Sequence, residues 1–127
     1  MRAADTNVLV RLFTGDSPSQ AEVARAFVAD GVWISLLALA EAIWVVDSSY
    51  AVSRQQQMGF ISMLLKSKSA IVQDPEVVEA ALTLFSKRPG LGFTDCLMLE
   101  IARKAGFLPL ATFDKRLGRE PGAEQLA

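Results

Sequence analysis

The chain has no histidine and only one cysteine among its 127 residues. Without histidine, the commonest general base and the usual imidazole metal ligand are both missing, so Ser-His and Cys-His nucleophilic chemistry is excluded. A lone Cys96 can form neither an intramolecular disulfide nor a Cys-rich zinc site, which fits a reducing, cytoplasmic setting. No apolar stretch like that of a signal peptide opens the chain in MRAADTN, and no membrane association is expected. An overall basic excess is lacking too, since the net charge is −1. What remains for catalysis is carboxylate, hydroxyl, lysine or a bound metal, and oxygen ligands suit Mg²⁺ or Mn²⁺ better than zinc.

Apolar residues make up 51% of the chain and charged residues 21%, a balance far from that of disordered sequences. A chain of this length typically buries about two thirds of its unfolded surface in one core, so residues 1–127 are expected to form a single domain. Charge is unevenly spread: seven of the thirteen basic residues (Lys87, Arg88, Arg103, Lys104, Lys115, Arg116, Arg119) lie in the last third. A local basic rim is therefore compatible with the near-neutral total.

Short strands alternate with amphipathic helices. Arg2 to Asp5 reads as a first strand, and Ser17-Pro18 as a cap followed by a proline at the first helical position. Asp30-Gly31 stops that helix before a buried strand, Val32-Trp33-Ile34. Helices are predicted from about Leu36 to Ser49 and from about Ser53 to Lys66, with a strand at Ala70-Ile71-Val72. Asp74-Pro75 opens a further helix that ends before Pro89-Gly90. Thr94 is expected to cap a helix through Lys104, burying Leu97, Ile101 and Ala105, and Pro109 to Thr112 is a fourth strand. Strands separated by helices imply an α/β fold with a mainly parallel sheet covered on both faces, its ligands beyond the carboxyl ends of the strands.

Four carboxylates stand out against this frame. Glu41 is the only charge in the fifteen residues from Val32 to Val46, so poor solvation is expected unless it occupies one solvent-facing stripe. Asp5 and Asp114 each follow a strand, and Asp95 falls in the first turn of a helix, positions where simple capping also places aspartate. Taken together, all four are expected at one edge of the sheet. Two carboxylates about 6 Å apart repel by roughly 3 kcal/mol at an effective dielectric near 20. A bound Mg²⁺ would relieve that repulsion and supply the activated water that a protein without histidine otherwise lacks.

At these same residues the sequence resembles the PIN-domain family, and specifically the VapC toxins of type II toxin–antitoxin systems. Asp5-Thr6-Asn7 running into Val8-Leu9-Val10-Arg11 resembles the family's opening motif, a strand end leading into a Val/Leu-rich helix. Glu41 with Trp44-Val45, Phe93-Thr94-Asp95-Cys96-Leu97 and Thr112-Phe113-Asp114 resemble its other three motifs, in order along the chain. The resemblance implies a three-layer α/β/α fold and a divalent-metal-dependent endoribonuclease. By the same resemblance Asp5, Glu41, Asp95 and Asp114 would hold one or two Mg²⁺ or Mn²⁺ ions, while Thr6, Asn7 and Thr112 would orient the acids or a metal-bound water. It also implies a homodimer inhibited by a VapB-type antitoxin. Arg11, Lys115 and Arg116 are candidate phosphate contacts on charge and proximity to the motifs. The Met-rich segment Met58 to Leu65 is read either as part of an antitoxin groove or as ordinary core.

Other phosphoryl-transfer families fit less well: a haloacid-dehalogenase-type phosphatase needs a second aspartate where this chain has Asn7. Two alternatives stay open from sequence, a catalytically silent PIN fold serving as a dimerising or protein-binding module, and a DNA-directed nuclease.

Overall fold

In a computed structural model describing residues Met1 to Ala127, the chain divides into two units, Met1–Pro75 and Glu76–Ala127. The first unit runs β1 (Arg2–Ala3), α1 (Thr6–Thr14), α2 (Pro18–Ala29), β2 (Val32–Ile34), α3 (Leu36–Ser49), α4 (Arg54–Lys66) and β3 (Ala70–Val72). Its three strands pair in the order β1-β2-β3, both pairings parallel. Parallel neighbours cannot be joined by a tight turn, so each crossover carries two helices. The α/β class with parallel pairing expected from sequence is what the structure has, in agreement with a three-layer α/β/α type.

Local chemistry explains the boundaries. Asp5 caps α1, its carboxylate accepting the Thr6 N–H at 2.7 Å, and Gly15 ends the helix in the left-handed region at φ 63°, where a side chain would be strained. Ser35 caps α3, and Ser53 with Gln56 forms a reciprocal capping box on α4. Ser17 precedes α2 with Pro18 in the first turn, but its hydroxyl makes no capping bond. Along β2 and β3 burial alternates, with Val32, Ile34, Ala70 and Val72 inside and Trp33 and Ile71 outside. The row holding Trp33 and Ile71 is over a third exposed. The core joins Leu9 and Val10 to Leu39, Ile43, Val46, Ile61 and Leu64, each contributing about 1.5–3 kcal/mol by leaving water. Phe60, Ile61 and Leu64 thus use much of the Met58 to Leu65 segment as ordinary core, while Met63 is exposed.

The second unit holds α5 (Pro75–Lys87), α6 (Phe93–Ala105), β4 (Leu110–Thr112), a 3₁₀ turn (Leu117–Arg119) and β5 (Ala123–Gln125). β4 and β5 pair in parallel, a connection that sequence patterning missed at its second strand. Gly118 permits it: a Cβ there would lie 2.7 Å from Gln125 Cβ and 3.2 Å from the Gln125 backbone. Phe85 and Phe93 meet edge to face at 5.8 Å and seal the packing of α5 on α6. Two expectations for α6 are corrected. Gly92, not Thr94, is its N-cap, and its buried face is Phe93, Cys96, Leu97 and Leu99, with Ile101 and Ala105 exposed. Phe93 and Leu99 shift the apolar stripe by part of a turn from the one centred on Ile101.

Candidate active site

In the first unit, the end of β1 delivers Asp5 and the second turn of α3 delivers Glu41. Thr6 ties the two together. Its backbone N–H donates to Asp5 Oδ1 at 2.7 Å, and its hydroxyl donates to Glu41 Oε2 at 2.9 Å. The hydroxyl bond joins residues 35 apart in sequence. Glu41 is exposed, which corrects the expectation of poor solvation: it shares an outward stripe of α3 with Leu37 and Trp44, while Ala38, Ala42 and Ile43 turn inward. A carboxylate on that stripe keeps its charge accessible to a hydrated cation.

Asn7 and Arg11 follow on α1, beside a cleft of about 410 Å³ that runs along α1 and α2 to Val23 and Phe27. The Arg11 guanidinium is bound to Asp16 at 3.0 Å, to the Tyr50 hydroxyl at 3.2 Å and to Gln20 at 2.6 Å. Hydrogen bonds from Thr14 and Tyr50, and then the charge of Arg11, hold the Asp16 carboxyl below the usual carboxylate range. This network escaped sequence reading, because Tyr50 is 34 positions from Asp16 and no spacing rule connects them.

In the second unit, Asp95 lies in the first turn of α6 and folds back over Gly92. Partial burial, and next the negative charge of Asp114, push the Asp95 carboxyl above its ordinary range, while a backbone hydrogen bond at Gly92 pulls the other way. Asp114 follows β4. Its Oδ1 accepts the N–H groups of Arg116 at 2.8 Å and Leu117 at 2.9 Å, and the Thr112 hydroxyl oxygen accepts the Asp114 N–H at 3.0 Å. Asp114 is thus a genuine cap of the turn after β4. Lys115 and Arg116 are exposed beside it.

The structure therefore brings the acids together as two pairs, Asp5 with Glu41 and Asp95 with Asp114. No group of three or more Asp, Glu or Cys side chains is close enough by itself to hold a metal ion. Donor chemistry nonetheless fits a hard divalent cation: every candidate ligand is a carboxylate oxygen, and the Asp95–Asp114 pair carries repulsion that a cation would offset. No helix is long and apolar enough to cross a membrane.

No curated protein matches the sequence. The PIN domain, a family generally made up of metal-dependent nucleases that act on nucleic acid with divalent ions, matches residues 3–121, a span that takes in all four acidic motifs. With that match over nearly its whole length and parallel α/β pairing in its structure, this chain belongs to the PIN-domain family.

Proposed function

We propose that residues 1–127 act as one PIN domain, a Mg²⁺- or Mn²⁺-dependent endoribonuclease of the VapC toxin type, working in the cytoplasm and restrained by a VapB-type antitoxin. The observation that carries this reading is the double grip of Thr6, which holds one acid from each of the first two motifs. A merely structural Glu41 on an exposed helix stripe needs no such partner. Asp5, Glu41, Asp95 and Asp114 are the residues that would hold one or two ions. When bound, such an ion would acidify an attacking water and offset charge on the phosphoryl oxygens.

The chain's own groups set the stage for that chemistry. Thr6 fixes the orientation of Asp5 and Glu41, and Thr112 holds the backbone of Asp114. Asn7 stands one residue beyond this grip on an exposed face of α1, within reach of a substrate or a water. Among the candidate phosphate contacts, Lys115 and Arg116 flank Asp114 directly, whereas Arg11 is engaged by Asp16 and Tyr50. Single-stranded or looped RNA is the expected substrate, because a compact acidic site reaches an exposed phosphodiester more easily than one inside a regular helix. The chain is expected to work as a homodimer.

Purified protein incubated with single-stranded RNA and Mn²⁺ should cleave it, and Asp5→Asn or Asp95→Asn should abolish cleavage without loss of helical circular dichroism. Equal cleavage by all three proteins would reject the assignment. Cleavage of single-stranded DNA at the same rate would redirect it to a DNA-cutting enzyme.

A further inference from the structure

We propose that a cleft in the second unit formed by Arg88, Gly90, Arg116 and Arg119 is a phosphodiester-binding subsite for single-stranded nucleic acid, adjoining Asp114. The proposal rests on the nuclease reading above and extends it to substrate binding outside the acids.

The cleft has a volume of about 320 Å³, and its lining includes buried Leu91 and one carboxylate, Glu120. Three guanidinium groups thus face a single acid. That acid is already committed: Glu120 is only 8% exposed and accepts a hydrogen bond from Arg88 Nε at 2.6 Å. Arg116 and Arg119 form no ion pair, unlike Arg88, Arg103 and Lys104, which pair with Glu120, Glu100 and Glu76. A neighbouring cleft on the other side of Arg88 differs, because there Arg103 is matched by Glu100 at 3.3 Å. Unmatched arginines gathered in a concave surface, each with a planar fork of donors, are suited to phosphate oxygens.

Local structure aims them. Asp114 caps the turn that carries both arginines, and Arg119 N–H bonds to the Arg116 carbonyl at 3.3 Å, so the two side chains stand three residues apart on one side of a 3₁₀ turn. Gly118 presses that turn against β5. Gly90 leaves space for the Arg116 side chain, whose Cδ lies 3.0 Å and Nη1 3.7 Å from where a Cβ would stand. A chain entering the cleft would therefore meet the arginines immediately beside one of the acids, as a strand threaded past a scissile bond must.

The test is binding without cleavage, by fluorescence anisotropy of a labelled oligouridylate in EDTA across a salt series. Arg116→Gln/Arg119→Gln should weaken binding on the order of tenfold. It should also lower the slope of log affinity against log salt by about 1.4, or about 0.7 for each phosphate left unneutralised. Lys66→Gln/Lys68→Gln removes equal charge before β3, at the sheet edge opposite Asp5, and should leave the slope unchanged. Gly90→Leu keeps every charge but fills the cleft, and should weaken binding as well. A wild-type slope in the arginine double variant, equal weakening in both double variants, or wild-type binding by Gly90→Leu would each overturn the proposal. The two readings fail separately. Arginine-dependent binding with no cleavage in Mn²⁺ removes the nuclease and keeps the subsite, whereas cleavage with an unaltered slope removes the subsite alone.

Discussion

Replacing Asp114 in two ways separates its capping role from its chemical one. Its Oδ1 accepts two backbone N–H groups, at 2.8 and 2.9 Å, at an exposed turn. Such bonds are worth about 0.5–1 kcal/mol each when solvent competes, so Asp114→Ala should cost about 1–2 kcal/mol. For a chain of this size that lowers Tm by roughly 3–8 °C. Asp114→Asn keeps an oxygen acceptor in the same place and loses only the charge. The weaker acceptor costs a few tenths of a kcal/mol, while removing the charge that raises the Asp95 pKa offsets part of that loss. Its Tm in EDTA should therefore fall within about 2 °C of the parent. Cleavage should nevertheless drop in both variants by at least about 100-fold, beyond the usual loss from a residue that only supports a metal ligand. Thermal melts by circular dichroism and an RNA cleavage assay read the two effects. Equal destabilisation by Asn and Ala would show that charge, not cap geometry, holds the turn; full activity of Asp114→Asn would reduce Asp114 to a cap.

Asp95→Asn should stabilise the metal-free protein, with a defined pH dependence. The folded protein holds the Asp95 proton more readily than the unfolded chain, so this group's contribution to stability is fully present below the unfolded pKa and is lost as pH rises through the folded one. The Tm advantage of Asp95→Asn should vanish in acid and be complete above that range; an advantage independent of pH would contradict the assigned cause. Asp16 behaves oppositely, its lowered pKa giving stability that is lost as pH falls through the folded value, so Asp16→Asn should melt below the parent at neutral pH and converge with it in acid. Gly118→Ala should cost about 1–3 kcal/mol, because the new methyl meets Gln125 backbone rather than a movable side-chain tip, and an unchanged denaturation midpoint would show that β5 gives way freely.

Much of the first unit was legible because its signals are local. Val32–Ile34 and Ala70–Val72 are short apolar runs bounded by turn residues, and α3 and α4 begin at serines whose hydroxyls cap them. β5 was invisible: Ala123-Glu124-Gln125 has neither alternation nor β-branched residues, and it pairs only because distant Gly118 lets it close on the turn. The buried face of α6 was misplaced because the hydrophobic stripe through Ile101 competes with one through Phe93, Cys96 and Leu99, and packing against Phe85 selects the latter. Candidate acids could be chosen from motif and setting, but the surroundings of Glu41 could not. An apolar helix reads as buried from sequence, and whether its charged position lies on the open stripe depends on which neighbours cover it. The Thr6 hydroxyl bond to Glu41 and the Tyr50–Asp16–Arg11 network likewise join residues more than thirty positions apart.

Calorimetric titration of the purified protein with Mn²⁺ is the decisive measurement, because it asks whether the candidate acids hold a metal ion at all. Asp5→Asn and Asp95→Asn should each weaken the binding seen in the parent while leaving the protein folded. Undiminished Mn²⁺ binding in either variant, or none in the parent, would contradict the account.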